Sequence, residues 1–403
     1  MKLSVEQVLA INAMSGAKKA ALVSMVTEVS KDVSSFEDFF AFVKEIKPAC
    51  TKYELENLLQ IAKRQVSLSK ESNIHIISVL DQSYPRMLNG IPNQPLVLFA
   101  KGNVSLLNAD LSIAIVGTRE ASECAVQSAR SFAKSMADEG VCIVSGLALG
   151  CDTAAHAGAL AASITGKTIA VMAHGLHIIY PKKNEVLAKN IIKNDGCLVS
   201  EHAPGVGIQK RFFVERNRIQ SGLSVATVVI QTGTSGGTIS TARHCLKQNR
   251  LLACMAPPKE DIENADYAGN KQLIAEGAKV VKGVEDIKLL ISNNTSSASA
   301  LILDNDLREK KRKRNYSGLQ QSITKYIKPN PLTPSNTSSE DLPPRVRVLT
   351  SSSSVNQKFK PPGPRQTPAF NNAIGAASSN TQPNAKKESA RATDLKRKPQ
   401  PNF

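Results

Sequence analysis

Residues 111–156 read LSIAIVGTREASECAVQSARSFAKSMADEGVCIVSGLALGCDTAAH, and this stretch decides the fold. The apolar run before Gly117 is rich in Ile and Val, which is typical of a buried parallel strand. A helical pattern begins around Ser122 and ends at Gly140. The run VCIVSG then starts a second strand, and we predict that Asp152 is the N-cap of the helix that follows it.

Each of these turns joins the end of a strand to the start of a helix, where unpaired backbone N–H groups favour an anion. Neighbouring turns of this kind form the ligand site of an open α/β sheet. VGTREAS does not match G-x-G-x-x-G, and no acidic residue stands where a ribose hydroxyl would need one, so we expect no nicotinamide cofactor. Arg119 lies in the first turn, and its guanidinium has the geometry that binds phosphate.

The whole chain divides into three predicted regions. Residues 1–72 place apolar residues at helical spacing, and residues 73–292 alternate strands with helices. This pattern predicts an α/β fold with an extended Rossmann-like, doubly wound, mostly parallel sheet and a small N-terminal helical domain. That domain could cover one edge of the sheet. The predicted strands are IHIISVL, SIAIVG, VCIVSG, TIAVMAH, CLVSE, ATVVIQ, LLACMAP and KVVKG.

Residues 293–403 are rich in Ser, Asn, Pro and Lys, a composition that predicts a disordered basic tail. The chain has 51 Lys and Arg against 34 Asp and Glu, a net charge of +17. Residues 301–403 hold 19 basic and 7 acidic residues, a net +12, which leaves 32 against 27 for the first 300 residues. The folded part must therefore bind any polyanion through a local basic patch.

Cysteine and histidine usage excludes other classes of site. Seven cysteines without a C-x-x-C pair argue against a disulfide framework or a zinc site, and the six histidines show no metal-ligand spacing. We therefore expect no metal. No apolar run suits a signal peptide or a membrane span, so we expect a cytoplasmic protein without a membrane partner.

Several motifs in order along the chain carry a family resemblance. SGLALGCDTAAH resembles the S-G-x-A-x-G-x-D-x-x-A-H signature of the DNA-processing protein A (DprA/Smf) family. TIAVMAHGLHIIYPKKN, RFFVERNRIQSGLS and SGGTISTARHCLKQNR are similar to later blocks of the same family, as is GNKQLIAEGA. The resemblance covers roughly residues 74–285.

The predicted site combines the two turns with these later blocks. DNA is expected to be held by arginines and turn N–H groups that bind phosphates, with Lys210 and Arg211 as further candidates. We predict that the phosphate pocket consists of Gly117, Thr118, Arg119, Ser122, Ser145, Gly146, Arg216, Asn217, Arg218, Ser235, Gly236, Gly237 and Thr238. Asp152, His156 and Phe213 are predicted to shape it, with Phe213 a candidate for one stacked base.

The resemblance implies a single-stranded DNA-binding protein that is not an enzyme. It further implies that the protein protects incoming strands in natural transformation, delivers a RecA-type recombinase onto them, and forms a homodimer. Family members commonly carry a helical N-terminal domain, so the resemblance also implies that residues 1–72 could support DNA binding or self-association. One alternative is a nucleotide-hydrolysing enzyme of the phosphoribohydrolase type, although SGGTISTA lacks the glutamate that such chemistry needs. A hydrolytic triad of Ser145, Asp152 and His156 is disfavoured because Ser145 is not in a G-x-S-x-G elbow.

The tail contains two short motifs. The basic run from Lys310 to Arg314 could contact phosphates or direct nuclear import, or it is simply solvated charge. QQSITKYI resembles a box that docks on sliding clamps through Gln320, Ile323, Tyr326 and Ile327. A second alternative function is therefore a clamp-docking adaptor.

Removing the aromatic ring of the tail box tests the clamp hypothesis. We expect a peptide of the tail box to be retained on an immobilised sliding clamp and its Tyr326→Ala counterpart to be released. The reason is that the tyrosine ring would fill an apolar pocket on the clamp. Equal retention of the two peptides in a pull-down contradicts the hypothesis.

Overall fold

The computed structural model describes residues 3–14, 19–28, 33, 35–163, 167–258 and 265–293. The basic run from Lys310 and the clamp-like box around Tyr326 lie outside these residues, as does nearly all of the predicted tail. Within the described part, no helix is both long and apolar enough to cross a membrane.

Helices dominate the N-terminal region, as the apolar spacing predicts, and alternate with strands afterwards. The helices are α1 (Val5–Ala13), α2 (Lys19–Thr27), α3 (Phe36–Ile46), α4 (Lys52–Glu71), α5 (Glu123–Asp138), α6 (Cys151–Leu160), α7 (Glu185–Lys193), α8 (Lys210–Gly222), α9 (Gly237–Lys247) and α10 (Ala268–Ala275). A further helical segment spans residues 284–293.

Nine strands of the described chain form one sheet. They are β1 (His75–Ser78), β2 (Val97–Gly102), β3 (Ser112–Val116), β4 (Cys142–Ser145), β5 (Thr168–Met172), β6 (Cys197–Ser200), β7 (Ala226–Val229), β8 (Leu251–Met255) and β9 (Lys279–Val281). The order is β1-β2-β6-β5-β4-β3-β7-β8-β9. β1 pairs with β2, and β2 with β6, in the antiparallel direction. The other seven strands, β3 to β9, are parallel to one another. The predicted Rossmann-like fold is confirmed, although the sequence pattern does not predict β2.

Helices cover both faces of the sheet, so the fold is doubly wound. Alternate residues of each strand point to opposite faces, and the apolar clusters separate accordingly. Ile113 and Ile115 of β3 pack with α5 and α6 on one face. On the other face, Val116 packs with α9 and α10. The Ser122 side chain caps α5 by accepting from the Ala125 N–H, as the sequence predicts for this helix start.

The N-terminal helices cover the sheet where β2, β6 and β5 lie side by side. Leu9, Phe39 and Leu55 of these helices belong to the same apolar cluster as Phe99 of β2 and Leu198 of β6. The helices therefore share a hydrophobic core with the sheet, which fits the alternative that they cover part of it. Their support of DNA binding or self-association, and the predicted boundaries at residues 72 and 292, remain predictions.

A buried histidine links α6 to β5. The His156 ring is fully buried, and its Nδ1 lies 2.8 Å from the hydroxyl of Thr168. Burial and, to a smaller extent, the positive charge of Arg216 together lower the pKa of His156 from 6.5 to about 3. The ring is thus neutral in the folded protein at all but strongly acidic pH.

This histidine gives a pH-dependent stability whose sign follows from proton binding. In the unfolded chain the ring regains its ordinary pKa and binds a proton as the pH falls below about 6.5, whereas the folded ring stays neutral down to about 3. As the pH is lowered from about 6.5 to about 3, the free energy of unfolding should therefore decrease, by at most about 1.4 kcal/mol per pH unit for this group. Urea unfolding of the protein and of His156→Gln at several pH values measures the slope. Equal slopes contradict the prediction, whatever the absolute stability of the variant.

Candidate nucleic-acid interface

A cavity of about 810 Å³ opens at the carboxyl edge of the parallel strands. β3 lies between β4 and β7 in the sheet. The chain leaves β3 toward α5 on one face and leaves β7 toward α9 on the other, so the two connections diverge. Such a divergence is where doubly wound sheets bind ligands. The loop after β3 and the first turn of α9 form opposite walls of this cavity, and α8 lies along it.

The cavity gathers most of the predicted site. Of the predicted residues, it is lined by Gly117, Thr118, Arg119, Asp152, Phe213, Arg216, Asn217, Ser235, Gly236, Gly237 and Thr238. Lys210, the further candidate for a phosphate contact, also lines it. Other lining residues are outside the predicted set: Val116, Glu120, Ala148, Tyr180, Ile208, Val214, Gln220, Thr232, Gly233 and Thr241. The position of Gln220, one helical turn after Arg216 on α8, is a signal that could have identified it.

Arg218 does not line the cavity, although it is only two positions from Arg216. Its side chain is buried, and Nη2 donates to both carboxylate oxygens of Glu201 at 2.7 and 2.8 Å. Its Nε donates to the Asn93 carbonyl at 2.7 Å, and Nη1 donates to the Glu215 carbonyl at 2.8 Å. Because the guanidinium donates to these partners inside the protein, it does not face the cavity, and the prediction that Arg218 binds phosphate there is not supported.

Four other predicted residues do not line the main cavity. The buried Ser145 hydroxyl donates to the Ile115 carbonyl at 2.7 Å, so it belongs to the packing between β3 and β4. The hydroxyl of Ser122 is committed to its cap, and His156 is buried against Thr168. Gly146 lines a smaller adjoining cavity of about 60 Å³ together with Arg119 and Arg216, among others.

The prediction that Asp152 caps α6 is wrong. The N-cap is Gly150, whose φ of +73° suits glycine, and Asp152 lies in the first turn of the helix. Its Oδ2 accepts from the N–H groups of Gly146 at 3.1 Å and Ala148 at 3.3 Å. Burial raises the pKa of Asp152, and the positive charge of Arg216 opposes that rise. The carboxylate therefore stabilises the turn after β4 and does not cap the start of α6.

Arg216 places a buried positive charge in the lining of the cavity. Its side chain is 6% exposed, and Nη1 donates to the Val171 carbonyl of β5 at 2.5 Å. Its Nε has no hydrogen-bond partner among the described residues. Burial lowers the pKa of Arg216 to about 10; Asp152 opposes this shift and Arg119 adds to it. The guanidinium is thus still charged at neutral pH, and it shares the cavity with a second cation.

That second cation, Arg119, is exposed at the cavity rim beside two aromatic rings. Its guanidinium carbon lies 5.5 Å from the centroid of the Phe213 ring, a cation–π distance. The Phe213 ring meets the Tyr180 ring edge-on with 5.7 Å between centroids. Tyr180 is 42% exposed. No carboxylate within the described ranges forms an ion pair with Arg119.

The start of α9 supplies main-chain donors on the facing wall. Gly236 is the N-cap with a φ of +107°, and no side chain caps the helix. The first N–H groups of a helix have no partner within it, and they carry the positive end of the helix dipole. Asn217 on α8 donates to the Gly237 carbonyl at 3.1 Å and so fixes this turn against α8. The cavity therefore combines two guanidinium groups, the free amides at the start of α9, and an aromatic edge formed by Tyr180 and Phe213. The described residues contain no cluster of side chains suited to hold a metal ion.

A methyl group added at Gly146 tests how closely Arg216 is packed. A Cβ built at Gly146 would lie 1.9 Å from Nη1 of Arg216, so the guanidinium would have to move. We expect Gly146→Ala to lower the free energy of unfolding by about 1–3 kcal/mol, the usual effect of overpacking. Gly207→Ala is the matched control, because nothing lies within 4 Å of its added Cβ. Chemical denaturation measures both, and equal stabilities would contradict this packing.

Comparison with known proteins shows the family of this chain. The model of the family described as DNA recombination-mediator protein A matches residues 75–292, over half of the 403 residues. DNA processing protein DprA of Bacillus subtilis is 38% identical over 244 residues, which cover 60% of this chain and 80% of that protein. DprA of Streptococcus pneumoniae is 38% identical over 221 residues, covering 55% and 76% respectively.

The solved structures include a close match in fold. The X-ray structure of DprA from Streptococcus pneumoniae aligns with a TM-score of 0.61 and 29% identity, covering 72% of this chain and 98% of that one. The resemblance read from the motifs is confirmed by these matches. The chain therefore belongs to the DNA recombination-mediator protein A family, that of the DNA processing proteins DprA and Smf.

Proposed function

We propose that this protein binds single-stranded DNA in the cavity at the carboxyl edge of its sheet, with little preference for sequence. The observation that carries the proposal is that Arg119 and Arg216 share one open cavity with the free amides at the start of α9. Guanidinium groups and helix N-termini both bind phosphate. These contacts would follow the DNA backbone, which is the same in every sequence.

The aromatic edge favours a single strand over a duplex. Phe213 and Tyr180 lie next to the phosphate donors, and Tyr180 is exposed. An aromatic ring can stack on the face of a base only when that base is free of its neighbours, as it is in a flexible single strand. The chain has no tryptophan, so stacking is expected to supplement the phosphate contacts rather than replace them.

We also propose that the protein acts by binding and not by catalysis. Two carboxylates line the cavity within the described residues, Glu120 and Asp152. Asp152 is buried and occupied by backbone N–H groups, so it is poorly placed to act as a base toward a bound nucleotide. The competing nucleotide-hydrolysing function predicts release of base or phosphate from mononucleotides, and such release would contradict this part of the proposal.

Family membership supports a finer proposal about cellular role. We infer that the protein, in the cytoplasm, protects incoming single strands during natural transformation and delivers a RecA-type recombinase onto them. A homodimer would place two cavities on one strand and raise its effective affinity. The clamp-docking alternative depends on the tail box, which lies outside the described residues and stays a prediction.

Loss of Arg119 tests the binding site directly. We expect Arg119→Ala to weaken single-strand binding by about 10- to 150-fold for every sequence tried, because one charged hydrogen bond to phosphate contributes about 1.5–3 kcal/mol. The slope of log K against log salt should shrink by about 0.7. Arg130→Ala removes the same charge from an exposed position on α5, on the face of the sheet opposite α9, and is the matched control. Filter binding with single- and double-stranded oligomers at several ionic strengths measures these effects. Equal affinity of the two variants rules out this cavity as the binding site.

A further inference from the structure

A second, basic groove begins where the cavity ends. It measures about 310 Å³ and shares Ser235 and Gly236 with the main cavity, so the two are continuous at the start of α9. From there it follows the outer surface of α9 along Ser240, Arg243 and Lys247. Arg243 and Lys247 were outside the predicted site, because nothing in the motif distinguishes them from ordinary surface charges.

Helix geometry aligns these residues in one row. Positions 236, 240, 243 and 247 are separated by four, three and four residues, and side chains at such spacing lie on one face of an α-helix. At 1.5 Å of rise per residue, the row extends about 16 Å away from the cavity rim. It therefore forms a straight continuation of the cavity wall rather than a scattered set of charges.

The charges in this row are unneutralised. The sequence of α9, GTISTARHCLK, contains no acidic residue. Arg243 and Lys247 are exposed, and neither forms an ion pair in the part of the chain that is described. Burial, followed by the positive charges of Arg218 and Lys247, lowers the pKa of the neighbouring His244. The groove therefore presents two permanent cations to whatever leaves the cavity.

We propose that a DNA strand bound in the cavity continues across Arg243 and Lys247, so that the α9 groove is a second phosphate-binding segment. This inference rests on the proposed function. The occupant is a nucleic-acid strand because the groove is continuous with the cavity and complementary to a chain of phosphates. At about 3.4 Å per nucleotide of stacked strand, a row of this length accommodates about two to five nucleotides, depending on how extended the strand is.

Binding of oligothymidylates of increasing length tests this path. In the full-length protein, affinity should keep rising with length after the cavity is filled, over a range of about 4 to 16 nucleotides. In the double variant Arg243→Ala/Lys247→Ala, affinity should reach its plateau about two to five nucleotides earlier. Long oligomers should bind about three- to tenfold more weakly, with a salt slope reduced by about 1.4, while the shortest ones bind unchanged.

The matched control is Arg130→Ala/Lys193→Ala, which removes the same charge from exposed positions on α5 and α7. These helices pack on the opposite face of the sheet from α9. The path is overturned if the α9 variant matches this control at every length, or if it weakens short and long oligomers equally.

Arg119→Ala in the same titration separates the two levels of the proposal. If Arg119→Ala weakens all lengths while the α9 variant matches its control, the cavity still binds DNA and only the path over α9 is wrong. If Arg119→Ala binds every length as well as the unaltered protein, the proposed function fails, and the continuation over α9 fails with it.

Discussion

The buried guanidinium of Arg216 is the constraint on which the rest of the site depends. A charge removed from water is unfavourable unless polar groups surround it. Here the Val171 carbonyl accepts from it, and the negative charge of Asp152 stabilises it. Asp152 in turn holds the N–H groups of the turn after β4, where only the absence of a side chain at Gly146 leaves room for the guanidinium. One charge thus ties β5, α8 and the turn after β4 into a single arrangement.

The orientation of α8 is fixed from its other side as well. Arg218 forms an ion pair with Glu201 after β6 and donates to Asn93 in the segment before β2. Asn217 meanwhile donates to the first turn of α9. Because α8 is anchored on several sides, it cannot rotate about its axis without breaking buried polar contacts. This restraint holds Arg216 and Phe213 toward the same cavity.

Much of the fold could be predicted because parallel strands buried on both faces are continuous apolar runs, as in SIAIVG and TIAVMAH. β2 was missed because Val97–Gly102 is an antiparallel strand that comes soon after a proline and has no crossover helix to mark it. Arg216 and Arg218 were placed together because they share a motif. Two positions along a helix are about 200° apart, so only one of them can face the cavity. The sequence could not show whether Gly150 or Asp152 is the N-cap of α6, because only the backbone geometry of the turn decides where the helix begins.

Several of the polar groups that shape the cavity are already satisfied within the protein. Asp152 holds two amides, Asn217 holds the turn before α9, and the Ser145 hydroxyl is bonded to Ile115. Such a preorganised wall has little entropy left to lose when a ligand arrives. If DNA binds as proposed, the ordering required for association falls on the nucleic acid, and a purine run would have to give up part of its own stacking wherever a base turns toward an aromatic ring. Base composition would thus influence affinity through the stiffness of the strand, without a hydrogen bond to any base edge.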